Sequence, residues 1–185
     1  MKHSTHFFKK LTRVISLSLI GVSLFSCSQY QISESPGIKK SRTWVIMPLE
    51  NNSNQPLATE KVEAILSATL FSLGVDVQMY PRNSAADLIS ILDNQSRKIQ
   101  ANDWLATKEA TYVITGSVNE WHYKSGLDGE PAVGITLELI DKTSKISIWK
   151  SNGSRSGWGR ESLTGAGQIV IEELLDGLEI PEKED

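Results

Sequence analysis

The sequence predicts an α/β fold: a small mixed sheet of about five strands flanked by helices, in the order β-α-β-α-α-β-β-β-α. Three observations carry that prediction. In the first half, short apolar or alternating runs are separated by segments with helical spacing, as in strands joined through helices. Three consecutive strand-like runs follow, which predicts an antiparallel meander. A last apolar stripe at helical spacing closes the domain.

Trp44-Val-Ile-Met47, stopped by Pro48, suits a buried strand. Residues 50–56 have loop composition. Val62, Ile65, Leu66, Thr69, Leu70 and Leu73 then recur at helical spacing, with Gly74 placed to cap the C-terminus. Residues 75–80 alternate and end at Pro81, a second strand. Ser84-Ala-Ala-Asp87 reads as a capping box opening a short helix with Leu88, Ile91 and Leu92 inward. A further helix is expected over 96–108. Residues 111–123 are rich in β-branched and aromatic types, 132–140 alternate, and 146–149 follow the polar turn 141–145. The last helix spans 160–178, with Leu163, Val170, Ile171, Leu174, Leu175 and Leu178 on its apolar face. The chain has no internal repeat.

The first residues carry Lys2, Lys9, Lys10 and Arg13 and no acid, followed by an apolar run over 14–25 and then Ser26-Cys27. A basic stretch, a short apolar run and a small residue before the cut make residues 1–26 a secretory signal peptide. The run is too short for a bilayer span, which needs about 20 residues. Cys27 is the only cysteine in the chain, at the end of Leu24-Phe-Ser-Cys27. That string resembles the bacterial lipobox, whose cysteine receives diacylglycerol, although Phe25 departs from the usual small or branched residue. Ordinary cleavage that happens to leave a cysteine is the alternative. Acyl chains contribute about 0.8 kcal/mol per buried CH₂, and two or more make stable anchors. Ser28 stands where an inner-membrane retention signal would place Asp, so the resemblance implies the outer membrane, periplasmic face. Residues 27–42 read as a polar tether, 43–180 as one domain and 181–185 as a frayed tail.

Removing the signal peptide leaves 15 basic residues against 22 acidic ones, a net charge of −7. That balance argues against nucleic acid as a partner, which requires a basic face, and permits a cationic one. The mature chain keeps His122 as its one histidine. A Ser-His-Asp triad would have to use it, no nucleophile elbow is present, and a structural zinc site lacks ligands. Counting residues leaves carboxylate-pair chemistry open. The expectation is a protein that is not an enzyme and uses no cofactor or metal.

Two resemblances refine this. Trp44-Val-Ile-Met-Pro-Leu49, Tyr112-Val-Ile-Thr-Gly-Ser-Val118 and Leu137-Glu-Leu-Ile-Asp-Lys-Thr-Ser-Lys-Ile-Ser-Ile-Trp149 look like a broad group of envelope lipoproteins. It includes CsgG-like secretion subunits, LpoB-like synthase activators and the N-terminal domain of TolB, and it implies a fold, not a function. More narrowly, Gly116-Ser-Val-Asn-Glu-Trp-His-Tyr-Lys-Ser-Gly-Leu-Asp-Gly-Glu-Pro-Ala-Val-Gly134 and Gly153-Ser-Arg-Ser-Gly-Trp-Gly-Arg-Glu-Ser-Leu163 are similar to the matching stretches of the PelC family. Its members are outer-membrane lipoproteins of the Pel exopolysaccharide export system, and the similarity runs over most of the mature domain. It implies a closed homo-oligomeric ring, a dodecamer, under the outer membrane. An acidic opening of that ring would guide a cationic polysaccharide of the biofilm matrix toward a PelB-like porin. A cyclic ring needs head-to-tail contacts. The alternative is an LpoB-like periplasmic regulatory lipoprotein that activates a cell-envelope synthase. Gly165 and Gly167 depart from the family pattern and are expected to loosen the start of the last helix.

The resemblance also colours individual residues. Asp128 and Glu130, in Asp128-Gly-Glu-Pro131, would belong to the acidic rim, although Asp-Gly and Pro are also what an ordinary turn requires. Trp158 sits between glycines, with Arg155 and Arg160 nearby. An indole there suits the membrane–water interface, with a packed loop or a subunit contact as the alternative. The arginines could meet lipid phosphates or a neighbour's carboxylates, and plain solvated arginines are the other reading. Trp44, Trp121 and Trp149 lie on strands and read as core. His122, beside Trp121 and Tyr123, reads as an aromatic edge more than a glycan platform.

Cys27→Ser should leave the domain folded and release it from the membrane. Membrane fractionation checks this; a substituted protein still wholly with outer membranes contradicts the lipid anchor.

Overall fold

A computed structural model describes residues 27–39, 41–81, 94–126 and 129–181. The sequence-derived signal peptide and the capping-box helix at Ser84 lie outside them, as does Asp128. The architecture is a mixed α/β sheet with helices on both faces. Seven strands are described: β1 Ser28–Ile32, β2 Trp44–Ile46, β3 Glu50–Asn51, β4 Val77–Met79, β5 Tyr112–Tyr123, β6 Pro131–Asp141 and β7 Ile146–Ser156. The helices are α1 Ala58–Ser72, α2 Asn94–Ala106 and α3 Leu163–Asp176. The strand order is β1-β7-β6-β5-β2-β4, with β3 pairing β5 beyond the end of β2. β2 is parallel to both β4 and β5, and β5-β6-β7 is the expected antiparallel meander.

Strand periodicity sorts the core. In β2, Trp44 and Ile46 enter a large cluster beneath α1 and α3, while Val45 and the following Met47 enter a smaller one beneath α2. An apolar run without alternation is what a strand covered on both sides requires. Val133, Ile135, Leu137 and Leu139 of β6 face the helices; Thr136 and Glu138 turn the other way. Val62, Leu66 and Leu70 of α1 and Val170, Ile171 and Leu174 of α3 complete the large cluster with Trp121 and Trp149. All three strand tryptophans are core.

α2 is tied across the sheet by charge. Arg97 Nη2 lies 2.8 Å from Glu63 Oε2 and Nη1 3.4 Å from Glu60 Oε1, both on α1. Glu63 Oε1 also accepts the Leu49 amide at 2.9 Å. Glu63 is buried, and removing one member of such a pair costs roughly 3–5 kcal/mol.

Termini of the elements follow their sequences. Gly74 takes φ +76 at the end of α1, and Ser162 Oγ caps α3 by accepting the Gly165 amide at 3.0 Å. At the β6–β7 turn, the amide of Ser144, then its hydroxyl, donates to Asp141 Oδ1 and holds that carboxyl below its ordinary pKa.

Two expectations are revised. Residues 28–32 are not a loose tether: β1 pairs antiparallel with β7, from Ser28 opposite Arg155 to Ile32 opposite Ser151. Tyr30 lies opposite Gly153, whose missing Cβ would stand 2.7 Å from its ring, and Ile32 closes on Gly177 in the same way. Ile38 is buried in the main core as well. The polar composition of 28–42 concealed this because an edge strand needs few apolar residues. β7 accordingly runs to Ser156, beyond the expected 146–149.

Gly167, in turn, is a close-packing site in α3: a Cβ there would lie 2.5 Å from the Trp121 ring. Gly167→Ala should therefore destabilise. The helix-propensity gain of about 1 kcal/mol is outweighed by overpacking at about 1–3 kcal/mol. Gly165→Ala, where the nearest atom is Ser162 Oγ at 3.3 Å, should have the smaller effect. Urea unfolding of both variants checks the order.

Candidate functional site

The sequence-selected residues converge on one end of the sheet, where β5 ends and β6 begins, β7 ends, α3 starts and the chain enters at Cys27. Cys27 carries an exposed free thiol, and its carbonyl accepts the Ser156 amide at 3.0 Å. The residue expected to carry the lipid is thus hydrogen-bonded to the last residue of β7.

Two residues on, the chain forms a tight loop built around Glu161. Arg155 reaches across it, with Nη2 at 3.3 and 3.2 Å from Glu161 Oε1 and Oε2 and Nε at 3.4 Å from Oε1. Arg155 Nη1 also approaches Ser28 Oγ at 3.4 Å, joining the loop to the start of β1. Glu161 Oε2 accepts the Trp158 amide at 3.1 Å, and the Trp158 carbonyl accepts the Glu161 amide at 2.9 Å. Gly157 is buried between Glu161 and Pro131; its amide donates to the Pro131 carbonyl at 2.9 Å, and a Cβ would fall 2.2 Å from Glu161 Oε2. The consequence is a displayed side chain: Trp158 is 46% exposed although its backbone is held at both amide and carbonyl. Arg160 is exposed beside it.

The β5–β6 hairpin ends at the same place. The Lys124 amide donates to the Glu130 carbonyl at 2.8 Å, and Lys124 Nζ stands 3.9 Å from Glu130 Oε2, with both side chains about half exposed. Exposed pairs of this kind contribute little, about 0–1 kcal/mol. Tyr123 Oη accepts the Leu163 amide at 3.3 Å, so the hairpin also holds the first turn of α3. Strand alternation sends Trp121 into the core and His122 to solvent. The three aromatic-edge residues therefore do not form one platform.

Cys27, Glu130, Arg155, Trp158 and Arg160 thus share one end of the molecule. Arg155 is largely engaged by Glu161, whereas Arg160 and Trp158 are displayed. Sequence reading missed Glu161, the residue that shapes the loop; its one signal was its position three residues after Trp158, on the far side of a glycine. Among the described residues, no helix is long and apolar enough to cross a membrane, and no cluster of His, Cys, Asp and Glu could hold a metal ion. The exposed Trp158 indole and Arg160 guanidinium beside Cys27, with the half-exposed Lys124–Glu130 pair at the same end, form an amphipathic surface that carries charges of both signs.

No family model matches the sequence, and no curated protein does. Solved structures do. A PelC dodecamer from Paraburkholderia phytofirmans superposes with a TM-score of 0.70 at 29% identity, over 84% of this chain and 99% of that one. The chain shares the PelC-like fold. Lipoprotein GNA1162 from Neisseria meningitidis is similar at a TM-score of 0.51 and 16% identity, over 73% of this chain and 96% of that one. That second likeness shows the fold alone.

Glu161→Ala should free Arg155 and let the 157–161 loop move, while Trp158→Ala should leave the loop intact and remove the apolar contact. Both are expected to weaken partition of the unacylated protein onto vesicles, Trp158→Ala the more. Equal partition of wild type and Trp158→Ala would return the indole to a packing role.

Proposed function

We propose that this chain is a non-catalytic lipoprotein of the outer membrane, anchored through Cys27 on the periplasmic face. Copies assemble into a homo-oligomeric ring that assists export of a cationic exopolysaccharide through a PelB-like porin. The observation that carries the reading is the similarity to the PelC dodecamer, which spans nearly the whole of that chain. The lipoprotein part is supported by Cys27 and by the amphipathic surface beside it. With the acyl chains at Cys27, Trp158 and Arg160 would meet the bilayer within a few residues of the anchor, an indole at headgroup depth and a guanidinium among phosphates.

Glu130 adds an electrostatic element. Alone, it is screened beyond about 8 Å at physiological salt. Repeated by ring symmetry with Asp128 around an opening, the fields would overlap and raise the local concentration of a cationic polymer. Because the hairpin bearing Glu130 lies at the Cys27 end, this opening would be the mouth nearest the bilayer, where the polymer passes to the porin.

Replacing Asp128 by Asn and Glu130 by Gln keeps shape and removes charge. The expected outcome is an intact ring at the outer membrane with reduced polymer export, measured as secreted polysaccharide. Wild-type export from the doubly substituted strain would assign the steering to other residues.

A further inference from the structure

The chain carries two complementary surfaces on opposite faces of its sheet. The first is a groove of about 610 Å³ between α2 and the outer face of β5 and β6. Its floor is apolar, formed by Met47, Leu105, Val113 and Ile140, and its rim carries Lys98, Lys142 and Lys145 against one carboxylate, Glu138, which pairs with Lys150. Lys142 Nζ donates to the Lys108 carbonyl, so Lys98 and Lys145 are the cations that face outward. Three lysines around one groove are conspicuous in a chain whose mature form has an excess of acid. The second surface is at the C-terminal end of α1. Phe71 is 76% exposed there, the most exposed of the large apolar side chains among the described residues, and Leu73 follows at 39%. Asp76 borders the same depression as Phe71, and Glu172, Glu173 and Asp176 of α3 border the one that Leu73 lines.

One surface is thus an apolar hole with a net cationic rim, its one carboxylate held by Lys150, and the other an apolar knob flanked by carboxylates. Within one chain they cannot meet. Phe71 is on α1, which packs on the Trp44–Ile46–Ile114 side of the sheet, while the groove opens on the Val45–Val113 side. Between two copies they can, and a contact joining two different surfaces of the same chain is the heterologous kind that a ring requires. We propose that the Phe71 knob of one copy seats in the lysine-rimmed groove of the next, with Asp76 and the α3 carboxylates facing Lys98 and Lys145. The inference rests on the ring reading above and gives it an interface: a second copy of this chain covers the groove.

The test uses the full acylated chain in detergent, its mass measured at rising concentration, with circular dichroism as the folding control. Phe71→Asp should shift the ring to single-chain mass without changing the spectrum, because the side chain it replaces faces solvent. A charge exchange is more specific. A chain with Lys98→Glu and Lys145→Glu has a hole that repels its own knob, and one with Asp76→Lys and Asp176→Lys has a knob that repels its own hole. Each alone should stay at single-chain mass. Mixed in equal amounts they should recover the ring mass, since every knob then meets a hole of opposite sign. If the wild type forms rings and these variants do so alone, or if the mixture stays dissociated, the interface is elsewhere and the ring reading stands. A wild type that stays at single-chain mass at every concentration, on vesicles as in detergent, overturns the ring and this interface together.

Discussion

The pairing of β1 with β7 is the constraint on which the rest of the molecule depends. It turns residues 28–32 from a leader into the sheet's edge, lays Tyr30 over Gly153 and closes Ile32 on Gly177 of the last helix turn. It also fixes where the chain enters the fold: at Cys27, one hydrogen bond from Ser156. Each later feature of that end inherits its position from this register. Arg155 lies opposite Ser28, and from there its guanidinium spans to Glu161, which in turn sets the Trp158 backbone.

A flexible tether would let a lipidated domain sample many orientations, and no surface would be membrane-facing by design. Chain entry through a paired strand removes that slack. With the proposed lipid at Cys27, the sheet axis would stand in a set relation to the bilayer, and the loop of Trp158 and Arg160 would be presented to it in one geometry. That economy suits an assembly of identical copies, because rings require each subunit to hold the same orientation. The polar hairpin at Glu130 is carried to the same level, while the carboxylates at the end of α3 and the lysine-rimmed groove belong to the remote end and the outer sheet face. Under the two proposals, membrane contact and subunit contact would fall on different parts of the domain.

Much of this was legible in the sequence, for physical reasons. Trp44-Val-Ile-Met47 had to be buried on both faces, the spacing of Val62, Leu66 and Leu70 had to make a helical stripe, and three β-rich runs in succession had to form a meander. What failed to show was whatever depended on contacts distant in sequence. Ser28–Ile32 alternates over five residues, with Tyr30 and Ile32 on one face, but so short a pattern inside a polar stretch does not say what it pairs with. It becomes a strand because β7 offers an edge and Gly153 a seat for Tyr30. Gly167 looked like a weakness in a helix, since the indole that fills its place comes from residue 121. Arg155 looked like a free cation until Glu161 was brought across the loop. Arg97 gave no sign that it would cross the sheet to Glu63. The convergence of Cys27, Glu130 and Trp158 on one end was equally invisible, being a property of strand register and not of local composition.

The claim that most of this rests on is the absence of slack between the anchor and the domain. Hydrogen–deuterium exchange of the acylated protein on bilayers, read in a peptide covering residues 28–32, tests it most directly. The account predicts slow exchange there, comparable with that of residues 151–155, on which β1 is laid. Complete exchange at the earliest time point, with 151–155 still protected, would show that the segment is a free tether and that the orientation described above is not imposed by the fold.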